Sequence, residues 1–363
     1  MVLRIGVVGT GFGARVHIPA YQMEGLAVVA VCARRPESAR AAAERFGIQH
    51  AFTSHREMLA MDGLDAVAVA VPQNLHHAIT MDVIAAGKHV LCEKPFATTL
   101  ADAREMWQAA EAAGVTAMVA HEFRFSPARA RVKELIDEGY LGPLQTALIT
   151  VTQAPRRGFG PCPYDPLRDD AELGGGLLWS QGSHNVDALR HWFGEVASVS
   201  GQIFTHRGER TADGATVQTT ADDAFTMKLE FAIGGWASVT ASYSVRHSAP
   251  MRVELYGRDG TLVTPHPNVG SPNPPPHPTL RGAQAGDDAL TDLDIPARLD
   301  PYDDEGHDGI MPMRMLAKEF VLGISKGTSP APNFYDAYRC QEVLHAVRES
   351  SLTGRTIMIP VTR

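Results

Sequence analysis

The residues with the types and spacing for chemistry are a glycine turn, a lysine and a histidine helix. Gly9-Thr10-Gly11-Phe12-Gly13-Ala14 follows an apolar run directly and opens a helical pattern. In that context such a stretch holds the pyrophosphate of a dinucleotide. Gly9 permits the tight turn, Gly11 lets the phosphates approach the backbone, and Ala14, the third small position, lets helix and strand pack closely. Amides exposed at the helix start hold the phosphate charge. Lys94 lies just past the end of a second apolar run and precedes Pro95, which fixes the local backbone; ligands of open α/β sheets bind at that edge. His184 carries the side chain that titrates nearest neutral pH and is the best general-base candidate. Ser180 stands four residues before it and Asp187 three after, so a regular helix presents all three on one face. Asp187 could orient or charge-stabilise the imidazole.

The elements that must position these groups follow from patterning. Short runs that are apolar on both faces, Val2–Val8, Ala27–Cys32, Ala66–Val71, His89–Cys92 and Thr116–Ala120, predict parallel strands. Helical patterns at Arg15–Met23, Pro36–Phe46, His77–Ala86 and Leu100–Ala113 separate them. Repeated βα units of this kind give a doubly wound Rossmann domain over residues 1–121. The style then changes. A helix at Ala128–Glu138 stops at Gly139, and alternating strands follow at Leu144–Gln153, Ser198–Thr205, Ala224–Phe231 and Trp236–Tyr243, with a hairpin at Val253–Tyr256 and Gly260–Val263. A helix at Gly176–Trp192 lies among them, and helices return at Pro312–Ile324 and Tyr335–Ser351. Residues 122–363 therefore read as a second, α+β domain with an open, mainly antiparallel sheet. Pro265–Pro278 reads as a surface loop.

The second strand ends Cys32-Ala33-Arg34-Arg35, with no acid to accept from the ribose 2′-hydroxyl of NAD. Arg34 and Arg35 would instead attract a 2′-phosphate and stack on adenine, so the expected cofactor is NADP in preference to NAD.

Bulk properties exclude other classes. The chain has 363 residues, 44% hydrophobic and 20% charged, with a net charge of -8 and no dense Lys/Arg cluster, which argues against nucleic acid as a partner. Its scattered cysteines, Cys32, Cys92, Cys162 and Cys340, form no C-x-x-C pair, so neither a disulfide framework nor a structural zinc is expected. No clear metal spacing occurs. The opening apolar run is short and interrupted by Arg4, so no signal peptide or membrane span is expected, and the chain reads as cytoplasmic.

Further motifs carry a resemblance. Val71-Pro72-Gln73-Asn74-Leu75-His76 resembles the Pro-Asn-x-x-His stretch of the glucose–fructose oxidoreductase/inositol dehydrogenase (Gfo/Idh/MocA) family. Ala86-Gly87-Lys88-His89-Val90-Leu91-Cys92-Glu93-Lys94-Pro95 is similar to that family's AGKHVLCEKP signature almost letter for letter. Gly174-Gly175-Gly176 with Gly182, His184 and Asp187, and Gly139-Tyr140-Leu141-Gly142, resemble two more of its segments. The resemblance implies a Rossmann domain followed by an open-sheet domain. It also implies oxidation of a secondary alcohol of a sugar or cyclitol, or the reverse, and a homodimer or homotetramer joined through the exposed sheet face. It implies that Lys94 contacts the reacting hydroxyl and the cofactor ribose. Pro72, His76 and Glu93 belong with the cofactor set, although Glu93 also reads as structuring its loop and His76 as capping the next helix. Ser180 replaces the Asp that shares proton work in the family, and Glu122 replaces an Asn ahead of Arg124. A serine is no base at neutral pH, so His184 would act alone or through a water. Trp179, Arg124 and Tyr164 could line a sugar site or simply pack.

The functional expectation is an NAD(P)-dependent oxidoreductase acting on a sugar or polyol. Its alternatives are a redox-neutral enzyme that retains its nicotinamide, of glycoside-cleaving type, and a non-catalytic cofactor-binding regulator.

Overall fold

The structure, a computed structural model, describes residues 2–155, 157–158, 160, 162–249, 251–265, 279–302 and 309–361. The chain divides into two compact units, residues 2–125 with 309–341, and residues 126–302 with 342–361.

The first unit is built on six parallel strands: β1 (Arg4–Val8), β2 (Ala27–Cys32), β3 (His50–Phe52), β4 (Ala66–Val69), β5 (His89–Cys92) and β6 (Ala117–Val119). Their order is β3-β2-β1-β4-β5-β6, so the direction of winding reverses between β1 and β4. β4 is buried along its whole length, and β1 from its second residue on, as strands covered on both faces must be. Because every strand is parallel, the segments that follow β1, β4 and β5 all leave from one edge. That edge is where a doubly wound sheet takes its ligand.

The first compact unit runs to residue 125 and also takes in a later segment. Helix Ile310–Lys326 buries Met313, Leu316, Ala317 and Phe320 in one cluster with Ile5, Val7, Val16 and Tyr21. Its apolar stripe is visible in sequence; the surface it covers is not.

The second unit carries a nine-stranded sheet. Its members are β7 (Leu144–Thr152), β8 (Val196–Phe204), β11 (Ala224–Phe231), β12 (Trp236–Ser242), β13 (Arg252–Gly257), β14 (Gly260–Pro265), β15 (Arg281–Gln284), β16 (Thr291–Asp292) and β17 (Ile357–Met358). The order is β16-β15-β14-β13-β7-β12-β11-β8-β17, antiparallel except for the β7–β12 pair. Burial alternates along β7 and β12, one face packed and one open. Apart from Pro265, which closes β14, the expected Pro265–Pro278 loop lies outside the described residues.

A separate hairpin, β9 (Glu209–Ala212) with β10 (Ala215–Gln218), turns on Asp213 at φ 50° and Gly214 at φ 79°. Asp169, 1% exposed, anchors the adjoining loop. It accepts from Arg157 Nη2 at 2.8 and 2.9 Å and from Arg210 Nε at 2.7 Å, while the Asp169 carbonyl accepts from Thr220 N at 3.0 Å. Gly175 lies against this loop so closely that a Cβ would stand 2.6 Å from the Arg168 carbonyl oxygen. Removing one member of a buried ion cluster leaves the others uncompensated. Asp169→Ala is expected to destabilise the protein by about 3–5 kcal/mol in denaturant unfolding; a loss below about 1 kcal/mol, the range of exposed pairs, would contradict this role.

Candidate active site

In the first unit the glycine turn begins where β1 ends. Gly9 has φ 110°, donates its N–H to Cys32 O at 2.9 Å, and would place a Cβ 2.1 Å from Ala70 O, so only glycine fits. Gly11 is exposed, and a side chain there would stand in open space. That room, beside backbone amides, fits a pyrophosphate. The close packing expected at Ala14 occurs one residue earlier, since a Cβ on Gly13 would lie 3.0 Å from Val7 Cγ1 and 3.3 Å from Ala70 Cβ. Ala14 is only half-buried. The following helix starts with a wide π-turn, Gly13–His17, before becoming α-helical at Ile18–Met23. Such turns concentrate at functional sites because they re-aim side chains.

That turn sends His17 inward. His17 is fully buried, with Nε2 2.7 Å from Glu93 Oε1 and Nδ1 2.8 Å from the Tyr21 hydroxyl. Glu93 Oε2 accepts from the backbone N–H of Lys94 at 3.1 Å. Both carboxylate oxygens are thus engaged by protein, and Glu93 structures the turn. Burial alone would raise its carboxyl; the His17 hydrogen bond, then the charges of His17, Lys94 and His76, hold it below the usual range.

His76 packs against the same turn. It is 1% exposed, with Nε2 2.9 Å from Val71 O and Nδ1 2.9 Å from Pro95 O. A protonated ring nitrogen donates to whichever carbonyl it faces. A neutral His76 has one N–H to donate, to the Val71 carbonyl of its own segment or to the Pro95 carbonyl of the Lys94-Pro95 turn. Burial, outweighing the carbonyls and Glu93, lowers its pKa. Gln73 Nε2 and Gln341 Nε2 both donate to Ala97 O at 2.6 Å, gripping the same turn from two more elements. Lys94 itself is half-buried, Pro72 is exposed, and Arg34 and Arg35 are exposed just past β2. Arg124 is buried with its guanidinium 3.5 Å from Asp336, so it packs rather than lining a sugar site.

In the second unit Gly174 and Gly176 have φ 91° and 121°. A Cβ on Gly176 would fall 2.2 Å from Asp222 Oδ1, and Asp222 Oδ2 accepts from Leu177 N at 3.0 Å and Leu178 N at 2.8 Å. The glycines therefore let a carboxylate cap the helix that carries the histidine. That helix opens with a second π-turn, Leu178–Gly182, before regular α-helix at Ser183–Phe193. Ser180 lies within the π-turn and His184 in the regular helix that follows. Ser180 Oγ donates to Gly176 O at 2.9 Å, back onto its own turn. His184 and Asp187, both buried, keep their three-residue spacing within the α-helix. Trp179 is 2% exposed, its ring 5.0 Å from the His345 ring and 5.5 Å from the Arg348 guanidinium, so it too is packing. Tyr164 is half-buried and donates its backbone N–H to Thr211 O at 2.8 Å.

Residues 3–121 match the model of an oxidoreductase family with an NAD-binding Rossmann fold, GFO/IDH/MocA, and residues 130–263 match the GFO/IDH/MocA C-terminal domain. The chain belongs to this family. It is an oxidoreductase of GFO/IDH/MocA type. It is similar to the levoglucosan dehydrogenase of Pseudarthrobacter phenanthrenivorans, 27% identical over 99% of this chain and 98% of that one. It is also similar to D-xylose 1-dehydrogenase (NADP(+)) 2 of Haloferax volcanii, 28% identical over 98% and 99%. The solved structure of a levoglucosan dehydrogenase in complex with NADH and L-sorbose superposes with a TM-score of 0.89 at 25% identity, covering 99% of this chain and 100% of that one.

Sequence reasoning missed His17 and Asp222. His17 had a signal: with Tyr21 it forms an i, i+4 polar pair amid Val16, Ile18 and Ala20, a face that must be buried. Asp222 is a near-neutral titrating group, pushed up to about 6 by burial against the opposing pull of the Leu178 and Leu177 amides. The fold therefore binds this proton more tightly than the unfolded chain does. The stability it contributes is full below about 4, falls as pH rises to about 6, and is flat above. The melting temperature of wild type minus that of Asp222→Asn should decline across this window; a difference that is constant or rising would contradict it.

Proposed function

We propose that this GFO/IDH/MocA oxidoreductase moves a hydride between NADP, or less readily NAD, and a secondary alcohol or ketone of a sugar, cyclitol or similar polyol. The observation that carries the reading is the pairing, in one unit, of a phosphate-fitting glycine turn with a Lys94 turn fixed by buried polar partners. When bound, the nicotinamide supplies the acceptor or donor of the hydride. Lys94 holds the reacting oxygen and stabilises the charge that grows on it as the hydroxyl proton leaves. His184 takes that proton, and Asp187, one turn further along its helix, orients the ring. A base of this kind contributes about 10²- to 10⁴-fold. Ser180, bound to its own backbone, takes no part in proton transfer.

The names of the relatives support a sugar as substrate: levoglucosan and D-xylose dehydrogenases match along nearly the whole chain. The absence of an acid after β2, with Arg34 and Arg35 exposed there, supports NADP. Among the described residues no helix is long and apolar enough to cross a membrane. The open sheet face, where Thr150, Thr240 and Thr226 stand side by side, is the surface by which we expect copies to join as a dimer or tetramer.

The test is reduced-nicotinamide absorbance across a panel of sugars, cyclitols and their ketones with both cofactors. Turnover with at least one, faster with NADP, is expected, and Arg34→Ala should weaken NADP binding about tenfold, one lost charge-assisted contact, with little effect on NAD. No turnover with either cofactor would contradict the activity. Equal use of both, unchanged by the substitution, would contradict the cofactor preference. Nicotinamide found by mass spectrometry in the as-purified protein, with products formed without net reduction, would favour the redox-neutral alternative.

A further inference from the structure

We propose that His77, Asp102 and Glu105 form a binding site for a divalent transition ion of zinc type, which staples helix His76–Ala85 to helix Leu100–Ala113. The site shares no residue with the glycine turn or the Lys94 turn, and it does not rest on the reading given under Proposed function.

The two helices follow β4 and β5 and pack side by side in the first unit. Thr99 Oγ1 accepts from Asp102 N at 3.1 Å, which fixes the first turn of the second helix. Asp102 and Glu105, three residues apart, share one face of that helix. His77 stands in the first turn of the other helix, with Nε2 2.9 Å from Glu105 Oε2. One ligand atom from each of the three side chains lies within 4.8 Å of the other two. Zinc holds imidazole nitrogen and carboxylate oxygen at about 2.0–2.2 Å, so small side-chain rotations bring all three onto one ion.

The charges and the donor set call for such an ion. Two carboxylates face a single imidazole. The half-buried Asp102 carboxylate has no hydrogen bond or ion pair among the described residues, and Glu105 has only His77. A divalent cation cancels both negative charges and takes the imidazole in its neutral form. The imidazole nitrogen favours zinc and its transition neighbours over magnesium and calcium, which prefer oxygen alone. His77 and Glu105 are 32% and 59% exposed, so the ion enters from solvent and a water completes its coordination. No sequence spacing shows the site, because His77 and Glu105 lie 28 residues apart and meet only when the helices pack.

The experiment uses the full-length protein, stripped of metal with EDTA and titrated with zinc chloride. His77 is followed by diethyl pyrocarbonate labelling located by peptide mass spectrometry, and melting temperature is read on the same samples. His76, 1% exposed, is the internal control for a buried ring. Zinc should protect His77 saturably, and magnesium and calcium should not. Asp102→Asn and Glu105→Gln keep the side-chain shape and sit at the helix surface. Each should weaken zinc protection of His77 by about tenfold or more, since even the outer partners of a metal site cost that much. An ion that binds only when both helices are in place raises the melting temperature of the wild type, and should raise that of Asp102→Asn less. Zinc binding that leaves His77 reactive overturns the proposal. So does protection that neither substitution weakens, equal protection by magnesium, or a melting temperature that zinc raises no more in the wild type than in Asp102→Asn.

Discussion

A carboxylate taken out of water must find replacements for that water in the protein, and the burial of Glu93 imposes this on everything around it. His17 has to reach it, which the π-turn after the glycine loop allows. The Lys94 backbone N–H has to face it. The carbonyls that this arrangement leaves on Pro95 and Ala97 are taken up by His76, Gln73 and Gln341. The Lys94 turn is thus held by side chains from the phosphate-binding helix, the segment after β4 and the C-terminal helix. The backbone that carries Lys94 is fixed by partners from three elements.

The second unit meets its own constraint by the same means. A helix start exposes amides without intrahelical partners, and here Asp222 accepts two of them. The carboxylate can approach only because Gly176 has no side chain. The three glycines of that segment therefore serve separate contacts: left-handed backbone at Gly174, the Asp169 loop against Gly175, and the cap against Gly176. In both units a π-turn lies between the glycine segment and the regular helix, with His17 closing the first turn and His184 two residues beyond the second.

What was legible in the sequence was local. The glycine turn, the strand that leads into Glu93-Lys94 and the spacing of His184 and Asp187 are all fixed within a few residues, and patterning finds them. Contacts between distant segments were not legible. His17 and Glu93 lie 76 residues apart, and nothing in either stretch names the other. The same gap hid the return of helix Ile310–Lys326 to the first unit. The π-turn that holds Ser180 was not legible either, because helical patterning assumes a regular α-helix. The β9–β10 hairpin was missed although Asp213-Gly214 is a strong hairpin-turn pair, because its strands are polar and show no alternation.

The most direct measurement of the central claim is the single-turnover rate of hydride transfer in Lys94→Ala, with cofactor affinity measured alongside. A placed cation at the reacting oxygen predicts that the rate falls by about 10² or more while cofactor affinity stays within a few-fold of wild type. A transfer rate within a few-fold of wild type would contradict it.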